Sequence, residues 1–401
     1  MSCRVVHLTS VHYAFDTRIY HRECMSLALA GYDVTLIAPH PEESRNADPV
    51  RLRRIPVPRN RPQRITETVL QVYRAALDEN ADIYHFHDPE LLLVGALLKL
   101  HGKKVIYDVH EDFKGTMDGK QWIPGAWKGI AAPAISTAEA ILGRACDRIV
   151  AATPTIARKF PAERTRMVQN FPWRGELYPR KAVPYEEREA LAIYIGWLGD
   201  HSGVAAMTEA VRMAARQRPV KLHIGGRVRE GAKAEFLTSA ATENVEYRGF
   251  LNRPQVAELI GRARIGLVTV LPTGNSINAQ PTKLFEYMSG ALPVIASDFP
   301  VYRRFVEEAR CGLLVNPHRP EEIASAILWM LENPGRACEM GRNGRRAIEE
   351  KYNWENEARE LVAVYEEILK AKRGRQKGGQ SAEDGRSEKS GRSVRRSDVR
   401  A

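Results

Sequence analysis

The sequence predicts an α/β protein built of two doubly wound domains facing each other across a cleft, and three observations lead there. Helical and strand patterns alternate through most of the 401 residues, the order that gives parallel sheets covered by helices. A hydrophobic share of 44% over this length can bury two cores. A charged segment with three prolines, FPWRGELYPRKAVPYEEREA at 171–190, divides the alternation into two runs and has the composition of an interdomain linker.

Each run has a Rossmann-like order. Residues 4–9 (RVVHLT) read as a short buried strand. Asp16 and Thr17 can cap a helix that runs to about Ala30, and Gly31 ends it. DVTLIAP (33–39) is the next strand, so the chain opens with a βαβ unit whose first loop faces the ligand crevice. A basic, proline-bearing stretch spans Arg51 to Arg64. A helix at about 66–78, the strand ADIYHFH, a helix from Pro89 to about His101 and the strand KKVIYDVH follow. Short strands at 147–152 and 166–170 complete the first domain, taken as 1–178.

The second domain, taken as 186–350, carries strands in ALAIYIG, VKLHIGG, VEYRGF, ARIGLVTV, LPVIAS and CGLLVNP, with helices between. Apolar positions at helical spacing make 351–370 a C-terminal amphipathic helix. Residues 371–401 turn to Gly, Ser, Lys and Arg with few apolar side chains, which predicts a disordered basic tail.

Charge and cysteine content exclude several classes. The net charge is +11, but the tail holds ten Lys/Arg against four Asp/Glu and so supplies +6 of it. The folded part is only mildly basic and has no zinc-finger spacing or aromatic RNA motif, so no nucleic-acid partner is expected. The five cysteines are scattered and form no CxxC pair, which fits reduced thiols in a cytoplasmic protein. No run of about 18 apolar residues exists to span a membrane. The N-terminus enters a strand directly, without the layout of a secretory signal.

The stretch PTKLFEYMSGALPVIASDFP (281–300) resembles the donor-site signature of family 4 glycosyltransferases, retaining enzymes of the GT-B fold. FDTRIYHRE (15–23), GYDVTLIAP (31–39), YHFHDPELL (84–92), YDVHED (107–112), VQNFP (168–172) and KYNWENEARELVAVYEEIL (351–369) agree in order, so the likeness covers about residues 4–370. It implies transfer of a sugar from a nucleotide diphosphate sugar to a saccharide or lipid-linked acceptor, as in cell-surface polysaccharide synthesis.

The donor segment also makes physical sense. A strand ending near Leu271 leads to a helix starting at about Pro281–Thr282, whose first N–H groups, from Thr282 to Leu284, can hold a diphosphate. Lys283 can add charge there. Glu286, one turn in, is implied by the resemblance to accept the donor ribose hydroxyls. The plainer alternative is a capped surface helix with Lys283 solvated.

The resemblance places His110 beside the donor sugar as a catalytic residue, although a strand-end histidine is otherwise a structural one. Glu111 and Asp112 follow it on the acceptor side. Asp16, taken as catalytic, and Arg18, taken as acceptor-side, lie in the loop that similar enzymes use near the diphosphate or acceptor; a cap and a surface arginine are the alternative. Asp88, after His87, reads equally well as a helix cap. On the donor side Gly225, Gly226 and Arg227 follow one strand and Phe250 another, and glycines permit close approach to a base or phosphate. Asn170 ends a strand before the linker and can face the cleft.

No DxD pair sits in a plausible donor loop, so no metal is expected, and helix N-termini with Lys/Arg are left to stabilise the leaving diphosphate. The sequence departs from the family at three places: Asn278 stands where the first of two glutamates is usual, and Trp197 and Ser202 stand where cations are usual. A catalytically degenerate member kept for binding is therefore the alternative function. RLRRIPVPRNRPQR (51–64) and KQWIPGAWK (120–128) mix cations with apolar groups, a composition suited to docking on an anionic membrane surface.

Overall fold

The computed structural model describes residues 2–41, 49–110, 137, 139, 141–179, 183–228, 243–273 and 276–371. Glu111, Asp112, the 120–128 stretch and the tail beyond 371 lie outside these residues.

Short apolar runs between helices make strands buried on both faces, and these form two parallel sheets among the described residues. The first contains β1 (Arg4–Leu8), β2 (Asp33–Pro39), β3 (Val50–Ile55), β4 (Ile83–Phe86), β5 (Lys104–Val109), β6 (Arg148–Ala151) and β7 (Thr165–Met167). Their order is β3-β2-β1-β4-β5-β6-β7. The second contains β8 (Leu191–Ile195), β9 (Lys221–Gly225), β10 (Val245–Tyr247), β11 (Ile265–Val268), β12 (Val294–Ser297) and β13 (Gly312–Val315), in the order β10-β9-β8-β11-β12-β13. The order reverses between β1 and β4 and between β8 and β11, and loops leaving such strands border the ligand crevice.

The first loop is held open by its own side chains. The Asp16 carboxylate accepts the amides of Arg18 and Ile19 at 2.8 and 3.0 Å, so it caps the helical segment that follows, as expected. That segment begins as a wide turn at Ile19–Cys24 before tightening at Met25–Leu29. Asp88 starts the next helical turn without a side-chain capping bond. Its carboxylate instead accepts from Thr9 Oγ1 at 2.8 Å and the Ser10 amide at 2.6 Å, pinning the first loop to the end of β4.

Three regions differ from the sequence expectation. The start of the basic 51–64 stretch is an edge strand, with Val50 and Ile55 buried at its two ends while Arg51 and Arg53 between them find carboxylates. Arg53 pairs with Asp78 at 2.6 Å and Glu79 at 3.1 Å, and Arg64 with Glu90 at 2.7 Å. Arg54, Arg59 and Arg61 are exposed, and Arg54 donates to the His40 carbonyl. The linker is also no free tether. Phe171 and Leu177 are buried in the second core, and a Cβ on Gly261 would meet Pro179 at 2.7 Å.

The third difference is the C-terminal helix, 354–371. Its apolar face is legible in the sequence, and its seat is not. Trp354, Leu361, Val364, Tyr365 and Ile368 pack with Val5, Cys24, Leu27 and Val34, so the chain returns from the second domain to close the first. Trp354 Nε1 donates to Ser26 Oγ at 2.8 Å and fixes the crossing.

Glu357, on this helix, is buried, and burial pushes its carboxyl up to about 7 although the Gln169 amide donates to it at 2.7 Å. The folded state thus binds the proton more tightly than the unfolded chain, so stability falls as pH rises from about 4.5 towards about 7. Glu357→Gln is expected to raise the melting temperature above that interval and to change little below it. Thermal unfolding at both ends of the range checks this, and an equal shift at both ends would point to packing instead.

Candidate active site

A cavity of about 400 Å³ lies between the domains, with His12, Asp16, Arg18, His110 and Asn170 on one wall and Asn278, Gln280 and Thr282 on the other. A second cavity of about 180 Å³ sits in the first domain, lined by Arg61, Arg64, Glu90 and Tyr107 among others. Both cavities include His12 and His110, so these two rings form the shared wall.

The first wall is organised by Asp108. Alternation along β5 puts Asp108 and His110 on one face, and alternation along β4 does the same for His85 and His87. Asp108 has no exposed surface. It accepts from Arg18 Nε at 3.0 Å and Nη2 at 2.8 Å, from His87 Nδ1 at 3.0 Å and from His110 Nδ1 at 3.0 Å. Burial opposes its ionisation, but the Arg18 guanidinium and the two histidine bonds hold the carboxyl well below the usual range. Arg18 has only one positive charge to give, and it is bidentate on Asp108. The neighbouring buried Glu23 is therefore driven the other way, its carboxyl raised by burial and by the Asp108 charge.

Arg18 is not the surface residue that the capping alternative supposed. It is 4% exposed and works as the counter-charge of the site. Asp108 was not among the expected site residues. The signal was present in YDVH: a charged residue in the middle of a buried strand, two positions from a histidine, is rare unless paired.

Two groups of donor atoms lie within 4.8 Å of one another: His7, Glu23, His85 and His87, and His87, Asp108 and His110. Hydrogen bonds account for much of this closeness. His7 Nδ1 lies 2.9 Å from His87 Nε2, and His85 Nδ1 lies 2.8 Å from Tyr365 Oη. Burial lowers the pKa of His7, His85 and His87, so all three rings are favoured neutral.

His110 stands at the cavity as expected, anchored through Nδ1 to Asp108 and with Nε2 3.0 Å from His12 Nε2. His12 also was not among the expected residues. Asp16 lines the same cavity. Burial raises its carboxyl, but bonds from His12 and from the Ile19 and Arg18 amides outweigh that and hold it below its usual range. Asn170 faces the cavity while its Oδ1 accepts from Arg22 Nη1.

The second wall is the start of the Thr282–Ser289 helix. The Leu284 amide donates to the Pro281 carbonyl at 3.0 Å, which narrows the expected anion cradle to the Thr282 and Lys283 amides. Lys283 is not simply solvated. Its Nζ donates to Tyr194 Oη at 2.8 Å, and its chain lies 3.1 Å from where a Gly196 Cβ would be, beside the loop that contains Trp197.

Glu286 is already engaged. Its Oε1 accepts from Arg253 Nη1 at 2.6 Å, and Arg253 Nη2 reaches Glu176 Oε1 at 2.5 Å. Arg22 Nη2 approaches Glu176 at 3.7 Å, so alternating charges run from the first domain through the linker to Glu286. Gln280 Nε2 donates to Gln169 Oε1 at 2.6 Å, a further tie across the cleft.

The glycines at the end of β9 are in close contact with the protein itself. A Cβ on Gly226, at φ +143°, would lie 1.8 Å from the Gly196 carbonyl, and one on Gly225 would meet Leu251 at 2.6 Å. Arg227 instead stacks over Phe250 with its guanidinium 4.7 Å from the ring centroid, and Phe250 is 63% exposed. Arg227, Phe250, Gly225, Lys283 and Glu286 are not on the wall of the larger cavity. Of the three departures, Asn278 lines that cavity, Trp197 is 59% exposed, and the Ser202 hydroxyl donates to the Gly199 carbonyl at 2.5 Å.

Known proteins match this arrangement in both halves. A family model described as "Glycosyl transferase 4-like domain" matches residues 18–170, and one described as "Glycosyl transferases group 1" matches 179–347. The MMP alpha-(1->4)-mannosyltransferase of Mycolicibacterium hassiacum is 26% identical over 170 residues, covering 42% of this chain and 40% of its own. The D-rhamnosyltransferase WbpZ of Pseudomonas aeruginosa is 26% identical over 210 residues, 49% of this chain and 53% of its own. The chain thus spans about half the length of the curated relatives it matches.

Among solved structures, the sucrose-phosphate synthase of Thermosynechococcus elongatus superposes with a TM-score of 0.73 at 18% identity, over 92% of this chain and 100% of that one. The Anabaena protein Alr3699/HepE, solved with UDP, superposes with a TM-score of 0.65 at 14% identity, over 93% and 100%. Likeness at these identities speaks for the fold.

Proposed function

Because the chain belongs to the family 4 glycosyltransferases of the GT-B fold, we propose that it moves a sugar from a nucleotide diphosphate sugar to a saccharide or lipid-linked hydroxyl, with retention at the anomeric carbon. One observation carries this reading. His110, held by the ionised Asp108, faces across one cavity the helix start at Thr282, where a diphosphate meets the first amides of the helix and the positive end of its dipole.

Breaking the sugar–phosphate bond leaves negative charge on the diphosphate, so groups that meet this charge lower the barrier. The helix start at Thr282 does so on the cavity wall, and the Lys283 ammonium joins it on leaving Tyr194, without calling on a metal ion. His110 binds a sugar hydroxyl on the other. Asn278 replaces a carboxylate by an amide that can both donate and accept a hydrogen bond to the sugar. Glu286 keeps a second oxygen for the ribose while Arg253 holds the first. The Anabaena neighbour was solved with UDP and with UDP-glucose, which makes uridine donors the first to test. The acceptor side is the cavity behind His12 and His110, and synthesis of a surface glycoconjugate at the inner membrane face is the setting this suits.

A panel of nucleotide sugars, scored by released nucleoside diphosphate, tests the reading. Wild type is expected to turn over one donor, His110→Ala to lose about 10²-fold in kcat, and Glu286→Ala to weaken donor use. Nucleoside diphosphate binding by calorimetry with no turnover of any donor or acceptor would assign a non-catalytic member, the reading that Trp197 and Ser202 favour.

A further inference from the structure

We propose that Arg253 is a positioning residue for donor recognition: it aims Glu286 at the donor ribose, and through Glu176 in the linker it ties that grip to Arg22 and Asn170 of the first domain. The inference rests on the sugar-transfer reading, in which Glu286 takes the ribose hydroxyls.

Local sequence fixes where Arg253 stands. Asn252 Oδ1 accepts from the Gln255 amide at 3.0 Å, and Gln255 Oε1 accepts from the Asn252 amide at 2.9 Å. This reciprocal cap pins the first turn of the Arg253–Arg262 helix. From that turn the guanidinium spans two carboxylates, with Nη1 2.6 Å from Glu286 Oε1 and Nη2 2.5 Å from Glu176 Oε1. A planar fork of donors suits such a bridge, whereas an ammonium is a single point of charge. Glu286 lies four positions after Thr282 on one helix, so it shares the face that meets the larger cavity. By fixing Oε1, Arg253 also sets the direction in which Oε2 is offered.

The other arm reaches the first domain. Glu176 Oε2 accepts from the Trp173 amide at 3.3 Å, which folds the linker around the carboxylate, and Arg22 Nη2 lies 3.7 Å from the same oxygen. Arg22 is buried, its Nη1 donates to Asn170 Oδ1, and its guanidinium lies 5.9 Å from the Trp354 ring centroid. Asn170 is on the first wall of the cavity.

Arg253 thus stands between two carboxylates, and Glu176 between two guanidiniums. Taking away either inner member sets like charges against each other. Without Arg253, Glu176 repels Glu286 and the set orientation is lost; Lys283, on the same helix, is bonded to Tyr194. Without the Glu176 charge, Arg22 repels Arg253, which shifts together with the carboxylate it holds. The ribose grip therefore depends on a linker residue that touches no ligand.

The test compares a nucleoside diphosphate with its 2′-deoxy form by calorimetry on the full chain. UDP and dUDP come first, and the guanosine and adenosine pairs follow if UDP does not bind. Wild type is expected to bind the ribose form about 10-fold more tightly, the scale of one hydrogen bond to a charged group. Arg253→Met and Glu176→Gln are each expected to lower that ratio to about threefold or less. The double variant should lower it no further than Arg253→Met alone, since both act through one chain of contacts. Arg253→Lys keeps one charge and should restore part of the ratio; with Glu176→Gln it decides the matter if Arg253→Met does not fold. Where a donor is turned over, the losses should fall more on its KM than on kcat. A mere interdomain brace would weaken both nucleotides alike, and a ratio that stays at its wild-type value overturns the proposal, as does an additive double variant. A wild type that binds UDP with no preference over dUDP overturns the roles of Glu286 and Arg253 while the transfer reading stands. Binding of none of the three nucleoside diphosphates overturns both.

Discussion

Asp108→Asn is expected to destabilise the protein by about 3–5 kcal/mol and to abolish turnover together with it. The reason is the asymmetry of a buried ion pair. Arg18 is 4% exposed and gives two hydrogen bonds to this carboxylate. An amide in its place leaves the guanidinium without its main counter-charge, and Glu23 is then drawn to ionise in Asp108's stead. His87 and His110 lose the acceptor that fixes their tautomers. Urea unfolding measures the loss directly. Removing both partners in Asp108→Asn/Arg18→Met should recover part of it, because no uncompensated charge remains buried. A single-variant loss below about 1 kcal/mol would mean that Glu23 takes over the pairing without strain, and the account of Asp108 as the organising group would be wrong.

Trp354→Ala is expected to cost about 3–5 kcal/mol, the range for deleting a fully buried aromatic side chain. Its distribution matters more than its size. Trp354 has no exposed surface and contacts the first domain, with Nε1 bonded to Ser26. Hydrogen exchange should therefore accelerate in β1, β2 and the Met25–Leu29 helix, well over 300 positions earlier in the chain, and much less in β11 and β12. Exchange that rises mainly in the second sheet would place the helix's energetic role with its own flank instead.

Much of the fold was legible because its signals are local. Short apolar runs alternating with helical stretches specify parallel strands, and the strands of the structure fall inside the segments read as strands, apart from β7, which starts one residue early at Thr165, and β3, which formed at the start of the basic stretch. That exception has a physical cause: an edge strand needs apolar residues only at its buried positions, and its arginines lie towards solvent, with Arg53 paired to Asp78 and Glu79. His110 and Thr282 sit at a strand end and a helix start, where topology sends side chains to the crevice, whereas Asp16 and Asn278 were singled out through the family resemblance; all four line the cavity.

What the sequence could not specify are the partnerships. Chain position does not reveal that Arg18 spends its charge on Asp108, that Arg253 holds Glu286, that Arg22 holds Asn170, or that Lys283 folds onto Tyr194. Each joins residues separated by 33 to 148 positions, and a charge's role depends on which opposite charge lies within a few ångströms. The sequence by itself determined the two parallel sheets, the order of their elements and the strand ends that border the cavity, since those follow from periodicity and chirality. Only the tertiary structure decided which ionisable groups are charged and which are consumed by one another, and that the last helix closes the first domain, because burial and pairing are properties of the packed chain.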